Sequence, residues 1–324
     1  DTSRFSPLYK MCFYISGAIM GPLLNKYNAG KIMILGAVGI LIGCIMCSFA
    51  PSIIVLVIAQ AFTGIGLSLT FVLPFAVVGE MFEKRRVIMI TTVGVFSAIG
   101  IVYFSHLTST LNNEFGWRGT FLIFGALFLN CVPIGMLIMI FRTRRNRLLG
   151  PQKPNFKSLL NFHLFKNPAF LVFAFNSFFV NGMFTTLDMF FIDMLRSRHF
   201  DIRNGPFLLS VNGFANIGCR VLVTVISPFL KCKRMTIWPL FLSLCSVTVL
   251  TFAYFETYNQ LLVICILYGL FWGNCAVLYP AIVMDISGLK MYSTALGYIN
   301  FIGGVAGMFG GPLAGDTYIL HFIV

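Results

Sequence analysis

Polar residues in this chain do not alternate with apolar ones. They gather in short clusters that separate long, unbroken apolar runs. A helix needs about 20 apolar residues to cross a bilayer. Runs near or beyond that length fall at roughly 8–24, 32–49, 53–79, 87–107, 119–141, 168–194, 206–230, 235–255, 260–284 and 292–314. The longest exceed the hydrocarbon thickness, so tilt or extension past the lipid is expected. Continuous runs, with no two-residue alternation, exclude a membrane β-barrel. The pattern predicts an all-α, polytopic membrane helical bundle of about ten transmembrane helices.

Composition sharpens that reading. Of 324 residues, 58% are hydrophobic and 10% charged, against about 45–50% and about 25% in soluble domains. There is too little polar surface to cover a water-soluble core. A disordered chain and an extracellular disulfide scaffold are excluded on the same ground. A net charge of +13 would suggest a nucleic-acid binder, but most of the basic residues sit in alternate connections between runs. These are Lys26 and Lys31; Lys84, Arg85 and Arg86; Arg142 to Lys166; Lys231, Lys233 and Arg234; and Lys290. The positive-inside rule places those connections in the cytoplasm and leaves no nucleic-acid partner. The chain has 9 cysteines, nearly all inside apolar stretches, where free Cys acts as a small buried hydrophobe. Cys44 and Cys47 carry the letters of a redox pair but lie mid-span, where a thiolate is costly. No cofactor and no metal site is expected.

The longest cytoplasmic connection, with Pro151 and Pro154, divides the runs evenly. It defines an N-terminal helical half (1–141), a basic linker (142–167) and a C-terminal helical half (168–324). Two helical halves around a central path are the plan of a secondary transporter.

Particular motifs carry a resemblance. Glu80-Met-Phe-Glu-Lys-Arg-Arg86 is followed by Phe115-Gly-Trp-Arg-Gly119 and Leu127-Phe-Leu-Asn130, then by Leu164-Phe-Lys166, Met284-Asp285 and Ser293-Thr-Ala-Leu-Gly297. Together these resemble the monocarboxylate transporter family of the major facilitator superfamily, along nearly the whole chain. The resemblance implies helices 2–11 of a twelve-helix bundle, with helices 1 and 12 outside the sequence. It also implies cytoplasmic termini, in agreement with the charge bias. Gly21 to Lys31 is similar to the superfamily's cytoplasmic Gly-x-x-x-Asp-Arg-x-Gly-Arg loop, with Asn25 in the acidic position. Lys26, Lys31, Lys84, Arg85, Arg86 and Asp285 are accordingly the expected gating residues; Asp285 is either the partner of a cytoplasmic base or a solvated loop acid.

Arg220 is the most informative residue. It lies about 15 residues, or about 22 Å, into the 206–230 run, close to the midplane. A charge there costs roughly 2.5–3.5 kcal/mol on the insertion scale and should face a wet cavity or a partner. A midplane guanidinium between two halves is suited to a carboxylate. The resembling family has Asp-x-x-x-Arg here; this chain reads Asn216-Ile-Gly-Cys-Arg220. An amide carries no proton near neutral pH, although it can reach Arg220 one turn away. Asp188 and Asp193 lie toward the outer surface and read as vestibule acids.

Tyr14, Phe271, Trp272 and Asn274 are candidate pocket residues, with bundle packing the competing role. Gly303, Gly307 and Gly311 recur on one helical face and predict close helix approach. His106 and His199 fall near or in outer loops. The expected function is a secondary, alternating-access transporter of monocarboxylates or related small organic anions. Asn216 favours facilitated diffusion over proton symport. The alternative is a truncated, non-transporting membrane protein or regulatory subunit. No Gly-x-Ser-x-Gly elbow or His-Glu-x-x-His motif points to an enzyme. The lipid bilayer, the organic anion, protons where coupling persists, and a single-span immunoglobulin-like chaperone are the partners the resemblance implies, at the plasma membrane.

Overall fold

The computed structural model describes residues 12–17, 23–24, 27–82, 85–149, 162–197, 205–226, 234–252, 254 and 257–323. Regular structure among them is helical, apart from a 3-10 turn at Phe162–Lys166. The long helices are α1 (Ala29–Ser48), α2 (Ile53–Met81), α3 (Arg86–Phe128), α4 (Cys131–Leu149), α5 (Pro168–Ser197), α6 (Gly205–Ile226), α7 (Arg234–Thr251) and α8 (Tyr258–Ile323). Among the described residues, 7 helical stretches are long and apolar enough to cross a membrane. The expected runs 87–107 and 119–141 fall within one such stretch, Arg86–Phe141. The run 292–314 belongs to the continuation of α8, and 8–24 lies largely outside the described residues. Helix also continues past the expected end at 141, to Leu149.

Capping chemistry fixes several starts. The Asn28 side chain accepts from the Gly30 amide at 3.0 Å at the head of α1, and Asn167 accepts from the Ala169 amide at 3.1 Å at the head of α5. Thr257 and Gln260 form a reciprocal box: the Thr257 amide donates to Gln260 Oε1 (3.2 Å) and the Gln260 amide to Thr257 Oγ1 (3.4 Å). Such boxes satisfy amides that the first helical turn leaves unpaired. Two helical runs are broken where glycine takes positive φ, at Gly116 (65°) in α3 and Gly288 (67°) in α8. That region is strained for any residue with a Cβ.

Backbone contacts group the chain into two compact units. The first comprises Asp1–Val77, Thr108–Asp188 and Ser287–Val324. Here α1 packs on α4 at a point where two glycines meet. A carbon added at Gly135 would sit 2.9 Å from the Gly30 carbonyl oxygen, and one at Gly30 would sit 2.7 Å from the Met139 amide nitrogen. The expected glycine face is also in contact: a Cβ at Gly303 would meet the Asn181 side chain at 2.7 Å, and one at Gly307 would meet Thr185 Oγ1 at 3.1 Å. Gly311 lies outside the residues whose side-chain surroundings are described. The Gly-Trp-Arg-Gly motif has a structural use: Arg118 reaches the Ala50 carbonyl (3.4 Å) and stacks on Trp117, 4.9 Å from the ring centroid.

The second unit comprises Val78–Leu107 and Met189–Ile286. In it α6 packs against both the first part of α3 and the first part of α8. Gly213 faces Val102 of α3, while Gly269 and Gly273 face Asn212 and Asn216 of α6. The Trp238 indole of α7 donates to the Cys275 carbonyl of α8 at 3.1 Å, and Phe241 meets Phe271 edge to face at 6.1 Å.

Candidate functional site

Arg220 projects from the second half of α6. An apolar helix places it there, and it is only 8% exposed. A buried charge needs hydrogen bonds to offset lost hydration, and Arg220 finds them across the helix interface. Its Nη1 donates to the Gly94 carbonyl at 2.7 Å and to Ser97 Oγ at 3.2 Å, both on α3. Ser97 Oγ in turn donates to the same Gly94 oxygen at 2.7 Å. Arg220 Nε is buried and has no hydrogen-bond partner. Among the described residues no carboxylate pairs with this guanidinium. Asp188 and Asp193 lie outside the residues whose side chains are described.

The amide one turn back does not take the place expected of it. Asn216 is one turn from Arg220, but the hydrogen bonds of Arg220 go to Gly94 and Ser97 of α3. The backbone of Asn216 lies against Gly273 of α8, whereas the long Arg220 side chain spans the α6–α3 contact. Two further buried polar atoms in the same unit have no partner, Thr224 Oγ1 on α6 and Asn274 Oδ1 on α8. Asn274 is 3% exposed.

The structure thus places Arg220, Asn216, Phe271, Trp272 and Asn274 in one compact unit, on α6 and α8. Phe271 is half-buried with its ring against Phe241 of α7; Trp272 is likewise half-buried. Tyr14 belongs to the other unit, where its ring lies edge-on to Phe13 at 5.0 Å and Gly304 abuts it. Sequence reasoning missed Gly94, Ser97 and Thr224. The available signal was a small-residue window, Val93-Gly-Val-Phe-Ser-Ala-Ile-Gly100, inside an otherwise bulky run.

The expected gating residues divide differently. Lys26 and Lys84 lie outside the described residues. Lys31 and Arg85 are exposed. The Arg86 Nε donates to the Gly79 carbonyl at 2.7 Å, closing the last turn of α2, where cations favour the helix C-terminus. Asp285 is paired, not merely solvated: its Oδ2 lies 2.6 Å from Arg234 Nη1, linking the first residue of α7 to α8. His106 is exposed, and His199 lies outside the described residues. The described cysteines are free, and no group of His, Cys, Asp or Glu suited to a metal occurs among the described residues.

This helical arrangement has close parallels. The chain is similar over its whole length (26% identity over 337 residues, 71% of the relative) to monocarboxylate transporter 4 of Gallus gallus. It is 27% identical to monocarboxylate transporter 4 of Mus musculus over 97% of this chain and 68% of the relative. Monocarboxylate transporter 2 of Homo sapiens is 25% identical, over 97% of this chain and 71% of the relative. In three dimensions the fold matches the crystal structure of the human organic anion transporter MFSD10 (TETRAN) with a TM-score of 0.80, at 14% identity, covering 97% of this chain and 77% of that one. The Major Facilitator Superfamily profile matches residues 8–311. The protein is a multi-pass integral membrane protein of the transporter kind, and the chain belongs to the major facilitator superfamily.

Proposed function

We propose that this protein is a secondary transporter of monocarboxylates or related small organic anions, working by alternating access, with Arg220 as the anion-binding cation. The observation that carries this reading is a nine-tenths buried guanidinium in an apolar helix, with no carboxylate partner among the described residues and an unpartnered Nε. Such a group is stabilised when an anion supplies the missing acceptor. Asn274 and Thr224 add uncommitted polar atoms to the same unit. Asn216, Phe271 and Trp272 are further proposed substrate contacts in that unit, and Tyr14 is a separate proposed contact in the other. Lys26, Lys31, Lys84, Arg85, Arg86 and Asp285 form the proposed gating set.

The carrier works at the plasma membrane, with an immunoglobulin-like single-span chaperone as the proposed accessory. Facilitated diffusion fits this chain better than proton symport. Asn216 stands where the family resemblance implies an aspartate, and an amide cannot shuttle a proton. The test is uptake of radiolabelled lactate, pyruvate and an aromatic carboxylate into liposomes containing the protein, with and without an inward proton gradient. Saturable uptake that is indifferent to the gradient is the expected result. Strict dependence on the gradient overturns the uniport mode, and no uptake of any probe overturns the transporter reading.

A further inference from the structure

The bonding of Arg220 is one-sided, and that asymmetry carries information about how an anion would be held. A guanidinium offers a carboxylate two forks: end-on through Nη1 and Nη2, or side-on through Nε and Nη2. In this structure Nη1 is committed twice, to the Gly94 carbonyl (2.7 Å) and to Ser97 Oγ (3.2 Å). The Ser97 hydroxyl proton is itself directed at the Gly94 oxygen (2.7 Å). The lone pairs of Ser97 Oγ therefore face Arg220. Gly94, Ser97 and Nη1 make a closed set of three, anchored to the backbone of α3. An end-on ligand would have to displace both acceptors. On the opposite edge, Nε is buried and makes no hydrogen bond.

We infer that the substrate carboxylate is received side-on at the Nε edge of Arg220, and that Ser97 is a positioning residue that holds the guanidinium with that edge free. The inference rests on the proposed transport function and deepens it at the same site. Ser97 does not touch the ligand. It fixes the rotation of the guanidinium plane, so binding requires no reorganisation of the cation, the usual source of affinity in a preorganised site. The arrangement also explains why a lysine could not serve here: a single ammonium cannot hold the α3 carbonyl and present a planar fork to a carboxylate.

The test uses the full chain reconstituted in liposomes, with lactate, pyruvate and phenylacetate as probes, alongside thermal unfolding of the same purified proteins. Ser97→Ala is expected to raise the half-saturating concentration about three- to tenfold, the loss of one modest hydrogen bond. Its maximal rate should stay within about twofold of the parent, since only binding is affected. Ser97→Thr keeps the hydroxyl and should restore the parent half-saturation. A Ser97→Ala and Arg220→Met double-mutant cycle in unfolding should show coupling between the two positions, whether or not transport is measured. Unchanged half-saturation in Ser97→Ala overturns the inference. A fall in maximal rate and unfolding temperature without a shift in half-saturation does so too. If Arg220→Met abolishes uptake while Ser97→Ala behaves as the parent, only this inference fails. If the parent protein takes up none of the probes, the transport reading fails and this inference with it.

Discussion

The two compact units are assembled from the same kind of apolar helix but held together in different ways. In the first, helices approach until backbone meets backbone, and glycine is what permits it: Gly30 against Gly135, Gly36 against Gly66. Several polar side chains there bond within their own helix, as Ser177, Thr185 and Thr186 of α5 do with carbonyls one turn back. In the second unit polar groups cross between helices. Arg220 reaches α3, Trp238 reaches α8, and Arg234 holds Asp285. Between apolar helices in lipid there is no hydrophobic drive to associate, so close packing and interhelical hydrogen bonds carry the association. One unit relies mainly on the first means and the other adds the second. Cross-helix polar bonds can be exchanged for bonds to a ligand, and backbone contact cannot. The exchangeable unit is the one that holds the candidate site.

The largest effect is expected where backbones touch. Gly30→Val would force α1 from α4, because even a single added carbon collides with the Gly135 carbonyl and the backbone of Met139. Overpacking in ordinary cores costs about 1–3 kcal/mol, and here the obstacle is main chain that cannot rotate away. Loss of folded, detergent-stable protein in a size-exclusion thermal assay is the expected outcome. The contrasting control is Gly100→Ala on α3, where nothing lies within 4 Å of the new carbon. That change should stabilise by about 0.5–1 kcal/mol through helix propensity alone. Equal behaviour of the two variants would show that backbone contact at Gly30 does not hold α1 on α4.

Arg220 comes next, and its variants separate transport from stability. Arg220→Met is expected to lower uptake by about tenfold or more, the cost of losing charged hydrogen bonds to an anion. Its unfolding temperature should hold or rise, since replacing a buried, incompletely bonded charge with an apolar side chain is commonly neutral or stabilising. Arg220→Lys should fall with it in uptake, because the fork is gone. A steep loss of stability with uptake per folded molecule unchanged would make Arg220 a structural tie between α6 and α3.

Much of this was legible in the chain. Unbroken apolar runs announce membrane helices because lipid admits no partly polar alternative. The glycines at 303 and 307 announced close approach because their spacing keeps them on one face. Arg220 stood out because an intramembrane charge is costly. What could not be read was partnership. Arg220 and Ser97 are 123 positions apart, whereas periodicity within α6 pointed to Asn216, one turn away. Asp285 read equally as the partner of a base or as a solvated acid, and the choice of Arg234 among its basic neighbours depends on how α7 packs beside α8. The start at Tyr258 was open to inspection in Thr257-Tyr-Asn-Gln260, yet hydropathy alone placed it later.

Asn274→Leu probes the polar unit more gently. The residue is 3% exposed and its Oδ1 lacks a partner, so a similar-sized apolar side chain removes an unsatisfied acceptor. Stability should rise by up to about 1 kcal/mol, and the half-saturating concentration for lactate should rise as well. Opposite movements in stability and affinity are the signature of a polar atom kept for binding. A parallel fall in both would assign Asn274 to packing.

The smallest effect is expected at the ion pair of Arg234 and Asp285. Its side chains are 30% and 38% exposed, so water screens it, and pairs of this kind contribute about 0–1 kcal/mol. Asp285→Asn should therefore leave the unfolding temperature nearly unchanged. The informative measurement is uptake. A pair that is made in one conformation of the carrier and broken in the other biases the switch between them by its full strength, even when its contribution to folding is slight. Asp285→Asn should then alter the rate of uptake more than stability, and the double exchange Arg234→Asp with Asp285→Arg should recover most of that rate, with the recovery diminished at high salt. Uptake that is equally indifferent to the single and the double exchange would reduce the pair to a surface contact and leave Arg220 as the polar crossing in this unit that bears on transport.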